Sequence, residues 1–224
     1  MKTYSLIKQI LLGSILVLNL KLSFGADWPM WGRDGTRNMV SDEKNITLDF
    51  NPGEMNDDEV VDMKTTNNVK WVAKLGSQAY GNVTIGNGYV FVGTNNESPR
   101  DSGKIGDRGV VMCLDEKTGE LKWQLVIPKL GAGKVSDWEY IGICSSAAIE
   151  GDKVYVVTNR CEVVCLDING LADGNDGPFK DEAAYVRPKG LKDELNPKLD
   201  ADILWMYDMR DELGVFPHNV TSSS

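Results

Sequence analysis

Oxygen-bearing side chains are concentrated in one stretch of the chain, between positions 167 and 177. The candidate ligands are Asp167, Asn169, Asp173, Asn175 and Asp176. Carboxylate and amide oxygens suit a hard cation such as calcium. The EF-hand spacing fails, because counting from Asp173 places the third ligand position on Gly177. The same residue types build tight turns, so the stretch is either a calcium site or a cluster of turns.

Four cysteines supply the other reactive atoms: Cys113, Cys144, Cys161 and Cys165. Their spacings match neither a zinc site nor a covalent haem site. Cys161 and Cys165 lie in an extended stretch, which places them too far apart to bond each other. Cys144 with Cys161 is the pair considered for a disulfide. The alternative is that all four are small buried hydrophobic residues.

Neither a catalytic centre nor a nucleic-acid groove is evident. His218 is the single histidine, and as a general base it would need a nucleophile or carboxylate partner that the sequence does not show. We therefore assign no catalytic residue. With 33 acidic and 24 basic residues the formal net charge is −9. A charge of this sign repels phosphate backbones, so nucleic acid is excluded as a partner.

The first 25 residues have the pattern of a secretory signal. Lys2 and Lys8 precede an apolar run over 10–20, and Ser23 and Gly25 are the small residues before a cut at Ala26. The run is shorter than the ~20 residues that span a bilayer. No cysteine lies near the cut to carry a lipid. We expect a periplasmic or secreted protein, with no transmembrane segment after cleavage.

The region after position 69 repeats itself. Trp71 and Trp123 are 52 positions apart, and so are the sequences Cys-Leu-Asp that end at Asp115 and Asp167. Each copy also carries an insertion of 12 residues, the first around 95–107 and the second around 129–140. Without its insertion the unit is about 40 residues long, the period of a propeller blade with several strands.

The repeat predicts an all-β fold. β-branched and aromatic runs follow glycine turns, as in β-hairpins, at 89–92 and 154–157. We expect an N-terminal lead segment over 26–68 and a partial propeller over 69–224. Two four-stranded blades would cover about 82–125 and 144–209, with a truncated third blade at 219–224. The polar insertion around 95–107 is interpreted as a surface loop or a ligand-facing loop.

One motif points to a family. Asp115-x-x-Thr118-Gly119-x-x-x-Trp123 resembles the tryptophan-docking motif of PQQ-like (quinoprotein-like) β-propellers. The resemblance implies that Asp115, Thr118 and Gly119 shape a turn and that Trp123 packs on the neighbouring blade. Trp71 and Trp205 are the corresponding tryptophans. The opening Asp27-Trp28-Pro29-x-Trp31-Gly32 is also similar to exported members.

The resemblance leaves several functions open, because one fold hosts many activities. We expect an exported binding or assembly module without its own catalytic site, with an unknown protein or small-molecule partner and with the remaining blades missing. The alternative is the N-terminal part of a PQQ-dependent periplasmic alcohol dehydrogenase. Such an enzyme implies PQQ and calcium on the propeller axis. A third reading is a scaffold similar to the lipid-anchored outer-membrane assembly propeller.

Overall fold

The computed structural model describes residues 26–186 and 195–221. The predicted signal, 1–25, lies outside these ranges. The strands are β1 (Glu54–Met55), β2 (Val61–Asp62), β3 (Thr84–Gly86), β4 (Tyr89–Asn95), β5 (Arg108–Asp115), β6 (Leu121–Pro128), β7 (Ala148–Glu150), β8 (Lys153–Val157), β9 (Glu162–Asp167) and β10 (Ile203–Asp208). Two short helices are α1 (Glu182–Tyr185) and α2 (Met209–Leu213). In the described ranges, no helix is long and apolar enough to cross a bilayer.

The chain forms two antiparallel four-stranded sheets, with strand orders β3-β4-β5-β6 and β7-β8-β9-β10. The all-β prediction is therefore confirmed, although the described residues do not close into a barrel or a propeller. Asn87 and Gly88 both have left-handed φ, which the tight turn between β3 and β4 requires. A third pairing, β1 with β2, is a small hairpin in the lead segment.

The two sheets share one register. In the first sheet Cys113 pairs with Trp123, and in the second Cys165 pairs with Trp205. Each pairing is followed by a bulge at the same position of the ladder. Because side chains alternate between the faces of a strand, equal register places the two tryptophans on corresponding faces.

The main hydrophobic core lies between the sheets. From the first sheet it takes Phe91, Val111, Trp123, Leu125 and Ile127, and from the second Val154, Val156, Val164, Leu166 and Ile203. A second core covers the opposite face of the first sheet, where Val90, Val92, Val110, Met112, Leu114 and Val126 pack against Trp71, Ala73 and Leu75. The first sheet is thus covered on both faces.

The lead segment joins β3 and β7, which are edge strands of the two sheets. Trp28 exchanges two backbone hydrogen bonds with Ile85 of β3, at 2.8 and 2.9 Å. The neighbouring Pro29 carbonyl accepts the N–H of Ile149 in β7 at 2.7 Å. Asn87 adds a contact between the hairpin turns by donating to the Gly151 carbonyl at 2.6 Å. These bonds hold β3 and β7 next to each other at one edge of the stacked sheets.

The first insertion lies on the surface and is anchored by one buried lysine. Lys104 is only 2% exposed, and its ammonium donates to Asp101 at 2.9 Å and to both oxygens of Asp200 at 2.7 and 2.8 Å. Arg108 reaches the Val186 carbonyl at 2.8 Å. A buried ammonium needs such partners, because leaving it unpaired is costly. The first insertion therefore packs on a long segment of the second repeat, residues 168–202, which we call the 168–202 insertion. The sequence did not predict this contact.

A buried carboxylate, that of Glu162, ties the 168–202 insertion to β9. Glu162 accepts hydrogen bonds from Tyr185 at 2.5 Å and from Thr158 at 3.1 Å. It also pairs with Arg160 at 3.1 Å and Arg210 at 3.2 Å. Both oxygens are satisfied, which allows the charge to be buried without a large penalty. This arrangement is structural.

Candidate functional site

The tryptophan contact is built from a turn and an indole in adjacent segments. Asp115 accepts the N–H groups of Lys117 and Thr118, each at 2.9 Å, and these bonds lower the pKa of its carboxyl. The turn ends at Gly119, whose φ is +74°. The indole N–H of Trp71 donates to the Glu116 carbonyl of this turn at 3.0 Å.

The same contact recurs further along the chain. Trp123 donates its indole N–H to the Ile168 carbonyl at 2.8 Å and is 2% exposed. In both contacts the donor and acceptor are 45 positions apart. A left-handed glycine lies against each ring, because a Cβ on Gly119 would come within 2.5 Å of Trp71 and one on Gly170 within 2.8 Å of Trp123. The predicted docking of Trp71 and Trp123 thus has a repeated geometry.

Trp71 itself lies outside every strand. Its correspondence with Trp123 of β6 predicts a strand at Trp71, but residues 69–76 carry no ladder pairing in the structure. Their burial nevertheless alternates, with Trp71, Ala73 and Leu75 turned to the second core and Val72 and Lys74 exposed. This is the pattern of a strand without a partner strand.

The third tryptophan lies on an uncovered sheet face, which we call the tryptophan face. Its residues are Tyr155, Val163, Cys165, Trp205 and Tyr207. By register they correspond to Phe91, Val111, Cys113, Trp123 and Leu125, all at most 2% exposed beneath the second sheet. Trp205 and Tyr207 are instead 40% and 39% exposed. Within the described ranges the Trp205 indole makes a ring contact with Tyr155 at 6.1 Å but no hydrogen bond.

A second apolar surface is a groove of about 650 Å³ beside residues 72–77. One wall is the β1–β2 hairpin with Met55 and Val61, and the other is the extended segment with Val72 and Leu75. Exposed Met55 and Val72 show that the groove is open to solvent. Its apolar lining would suit another strand.

The four cysteines are free thiols in the structure, which contains no Cys144–Cys161 disulfide. Burial raises the pKa of Cys113 far above its usual range and also raises those of Cys144, Cys161 and Cys165. Three are buried, and Cys144 is half-buried. Raised pKa values make thiols poor nucleophiles.

The predicted calcium ligands are divided among turns. Asp167 accepts the Asn169 N–H at 2.7 Å, and the Asn169 amide donates to Asp173 at 2.9 Å. The Asn175 side chain and the Asp176 main-chain N–H instead contact residues that the sequence did not single out. Across the described residues, no three His, Cys, Asp or Glu side chains converge as a metal centre.

Those overlooked residues are Glu182 and Asp202. The Asn175 amide donates to Glu182 at 2.8 Å, and the Asp176 N–H donates to Asp202 at 2.9 Å. Burial raises the pKa of Glu182, and nearby Asp202 adds to the rise against the hydrogen bonds that oppose it. The signal missed was this pair of acids, one within the 168–202 insertion and one at its end, which only the fold brings together.

The structure also shows the positions of the single histidine and of the predicted third blade. His218 is exposed, and its described hydrogen bonding is confined to the main chain around Val220. Residues 219–221 of the predicted third blade contain no strand, and 222–224 lie outside the described ranges.

The chain matches no family model, and no curated protein is significantly similar to it.

Proposed function

We propose that the chain is an exported binding or assembly module, built from PQQ-like β-propeller repeats and without its own catalytic site. The observation that carries the proposal is the tryptophan contact. It occurs twice with the same 45-residue separation, whereas the Trp205 indole, in the register position of Trp123, has no acceptor among the described residues. The tryptophan face would therefore receive another sheet of the same kind.

The way in which the two sheets stack on each other supports a propeller. Corresponding positions touch each other across the sheets, as in the bond from the Asn82 N–H to Ser146 at 2.9 Å and that from Asn87 to Gly151. Both pairs are 64 positions apart. The constant offset means that equivalent positions of the two sheets meet. Successive blades of a propeller, which are related by a rotation about its axis, make contacts of this kind.

The energetics favour assembly through this face. At about 25 cal/mol per Å², covering roughly 100 Å² on Trp205 and Tyr207 would contribute on the order of 2–3 kcal/mol. A hydrogen bond from the Trp205 indole to a turn carbonyl would add about 1 kcal/mol. Aromatic rings that are apolar with one polar donor are typical of interface centres.

Sedimentation velocity on the full chain over a wide range of concentration tests the proposal. Wild-type protein should associate, and Trp205→Ser should not. The matched control is Trp138→Ser, because Trp138 is similarly exposed (47%) but lies on a loop away from this face. Equal association of the two variants would contradict the assignment of the face.

A second assay separates the proposed module from a dehydrogenase. PQQ and calcium are added to the purified chain, and dye-linked alcohol oxidation is followed. We expect no oxidation and no quinone absorbance that stays with the protein. Turnover, or a retained quinone spectrum, would contradict the absence of a catalytic site.

A further inference from the structure

Two buried carboxylates are held by one turn of the 168–202 insertion. Glu182 is 1% exposed and Asp202 is fully buried. The Asn175 side chain holds Oε2 of Glu182, and the Asp176 N–H holds Oδ2 of Asp202. Because Asn175 and Asp176 are consecutive residues, both carboxylates face the same short segment of main chain.

The other oxygen of each carboxylate has no partner. Oε1 of Glu182 and Oδ1 of Asp202 are buried, and neither accepts a well-aligned hydrogen bond from the described residues. The N–H groups of Glu182 and Ile203 lie near the Glu182 carboxyl and partly oppose the rise of its pKa. The described ion pairs likewise include neither side chain, in contrast to the buried Glu162 with its two arginines. Two buried carboxylates without a counter-charge would be strongly destabilising, so the charge must be neutralised either by a proton or by a bound cation.

The surroundings would attract such a species. Asp173, Asp176 and Asp181 are exposed acidic residues of the same insertion. Lys180 is the basic residue among them, and its ammonium contacts the Asn175 carbonyl and side-chain oxygens rather than a carboxylate. A concentration of one charge around a buried site raises the local concentration of the opposite ion.

We propose that Glu182 and Asp202 bind one oxygen-preferring divalent cation, of the calcium class, through Oε1 and Oδ1. Two carboxylates neutralise a divalent charge, and water or carbonyl oxygens complete such coordination shells. Zinc fits poorly, because among the described residues no histidine or cysteine joins these two acids in a metal-binding cluster. The site differs from the predicted 167–176 cluster, and it does not depend on the proposed assembly function.

The cation would fasten the 168–202 insertion. Glu182 belongs to α1, whereas Asp202 immediately precedes β10. A shared ion therefore joins the middle of the insertion to its end, beside Asp200, which pairs with Lys104. Binding to the folded state alone stabilises a protein by mass action.

Calorimetric titration of the EDTA-treated full chain with CaCl₂, alongside thermal melts, tests the site. We expect one calcium per chain, with a Kd on the order of 10⁻⁴–10⁻³ M as in extracellular modules. At 100 times Kd the melting temperature should rise by about 5–10 °C. Glu182→Gln and Asp202→Asn should each weaken binding by at least about tenfold. Both substitutions preserve shape and remove a buried charge.

Asp173→Asn is the matched control, since it removes the same charge from an exposed residue of the same insertion. It should leave the affinity nearly unchanged. Absence of stoichiometric heat in the wild-type chain would overturn the proposal and indicate that the two carboxyls share a proton. Equal weakening by Asp173→Asn and Glu182→Gln would also overturn it, because the effect would then be a diffuse electrostatic attraction.

Discussion

Trp123→Phe and Trp205→Phe form a matched pair of substitutions. The two tryptophans occupy corresponding register positions, opposite Cys113 and Cys165. Trp123 is 2% exposed and donates to the Ile168 carbonyl, whereas Trp205 is 40% exposed. We expect the first substitution to destabilise the protein and the second to have little effect.

The magnitude follows from the Trp123 contact. Phenylalanine keeps most of the ring but removes the donor, which leaves the buried Ile168 carbonyl without that partner and costs about 1–2 kcal/mol. The smaller ring also leaves space against Gly170, worth roughly 1 kcal/mol. The total for Trp123→Phe is about 2–3 kcal/mol. Trp205→Phe should stay within about 0.5 kcal/mol, as for most surface substitutions.

Urea unfolding followed by circular dichroism measures the difference, since this signal does not depend on the tryptophans being replaced. In thermal melts, Trp123→Phe should lower the midpoint by about 4–12 °C. Equal losses in the two variants would refute the reasoning, because they would mean that docking of the Trp123 indole does not stabilise the contact between the sheets. A larger loss for Trp205→Phe would show that the tryptophan face is already covered.

Three other predictions concern packing, charge and thiols. Gly119→Ala should cost at least about 2 kcal/mol through left-handed strain and a clash with a ring, whereas Gly151→Ala, with open space around it, should cost about 1 kcal/mol in urea unfolding. Lys104→Met should cost about 3–5 kcal/mol by the same measurement, because it leaves buried carboxylates unpaired. In the native protein, only Cys144 should react with a thiol reagent. Burial raises the pKa of the Cys113 thiol, so above about pH 9 this thiol ionises only in the unfolded chain. The free energy of unfolding should therefore fall as the pH rises above about 9.

For each of these three predictions, one experimental result would contradict the reasoning. Equal losses for the two glycine variants would mean that ring contact adds nothing to backbone strain. A stable Lys104→Met protein would show that the insertion is solvated rather than packed. Rapid reaction of all four thiols in the native state would contradict their burial, and failure to titrate four thiols after unfolding would indicate a disulfide.

Local sequence was sufficient for the strands and turns. Asn87-Gly88 prefers a left-handed turn whatever surrounds it, and the β-branched runs that follow such turns became β4 and β8. The Asp115 turn also follows from local hydrogen bonds between neighbouring residues. Repetition of these signals identified two four-stranded units, because each unit carries the same short-range instructions.

The insertions were not predictable in the same way. Lys104 and Asp200 are 96 positions apart, and nothing near either residue indicates that it will be buried. Glu182 and Asp202 likewise looked like ordinary surface acids in a charged segment. Their burial depends on how the insertion folds back on β9 and β10, which is a long-range contact without a local signature.

By itself, the sequence determined the repeating strands, the glycine turns and the register that places each tryptophan on a corresponding face. These follow from side-chain alternation and turn preferences within a few residues. Only the tertiary structure decided which faces are covered. Trp123 and Trp205 have equivalent positions in their sheets, yet one is buried and the other is exposed, because burial depends on a neighbouring surface and not on the strand that carries the residue.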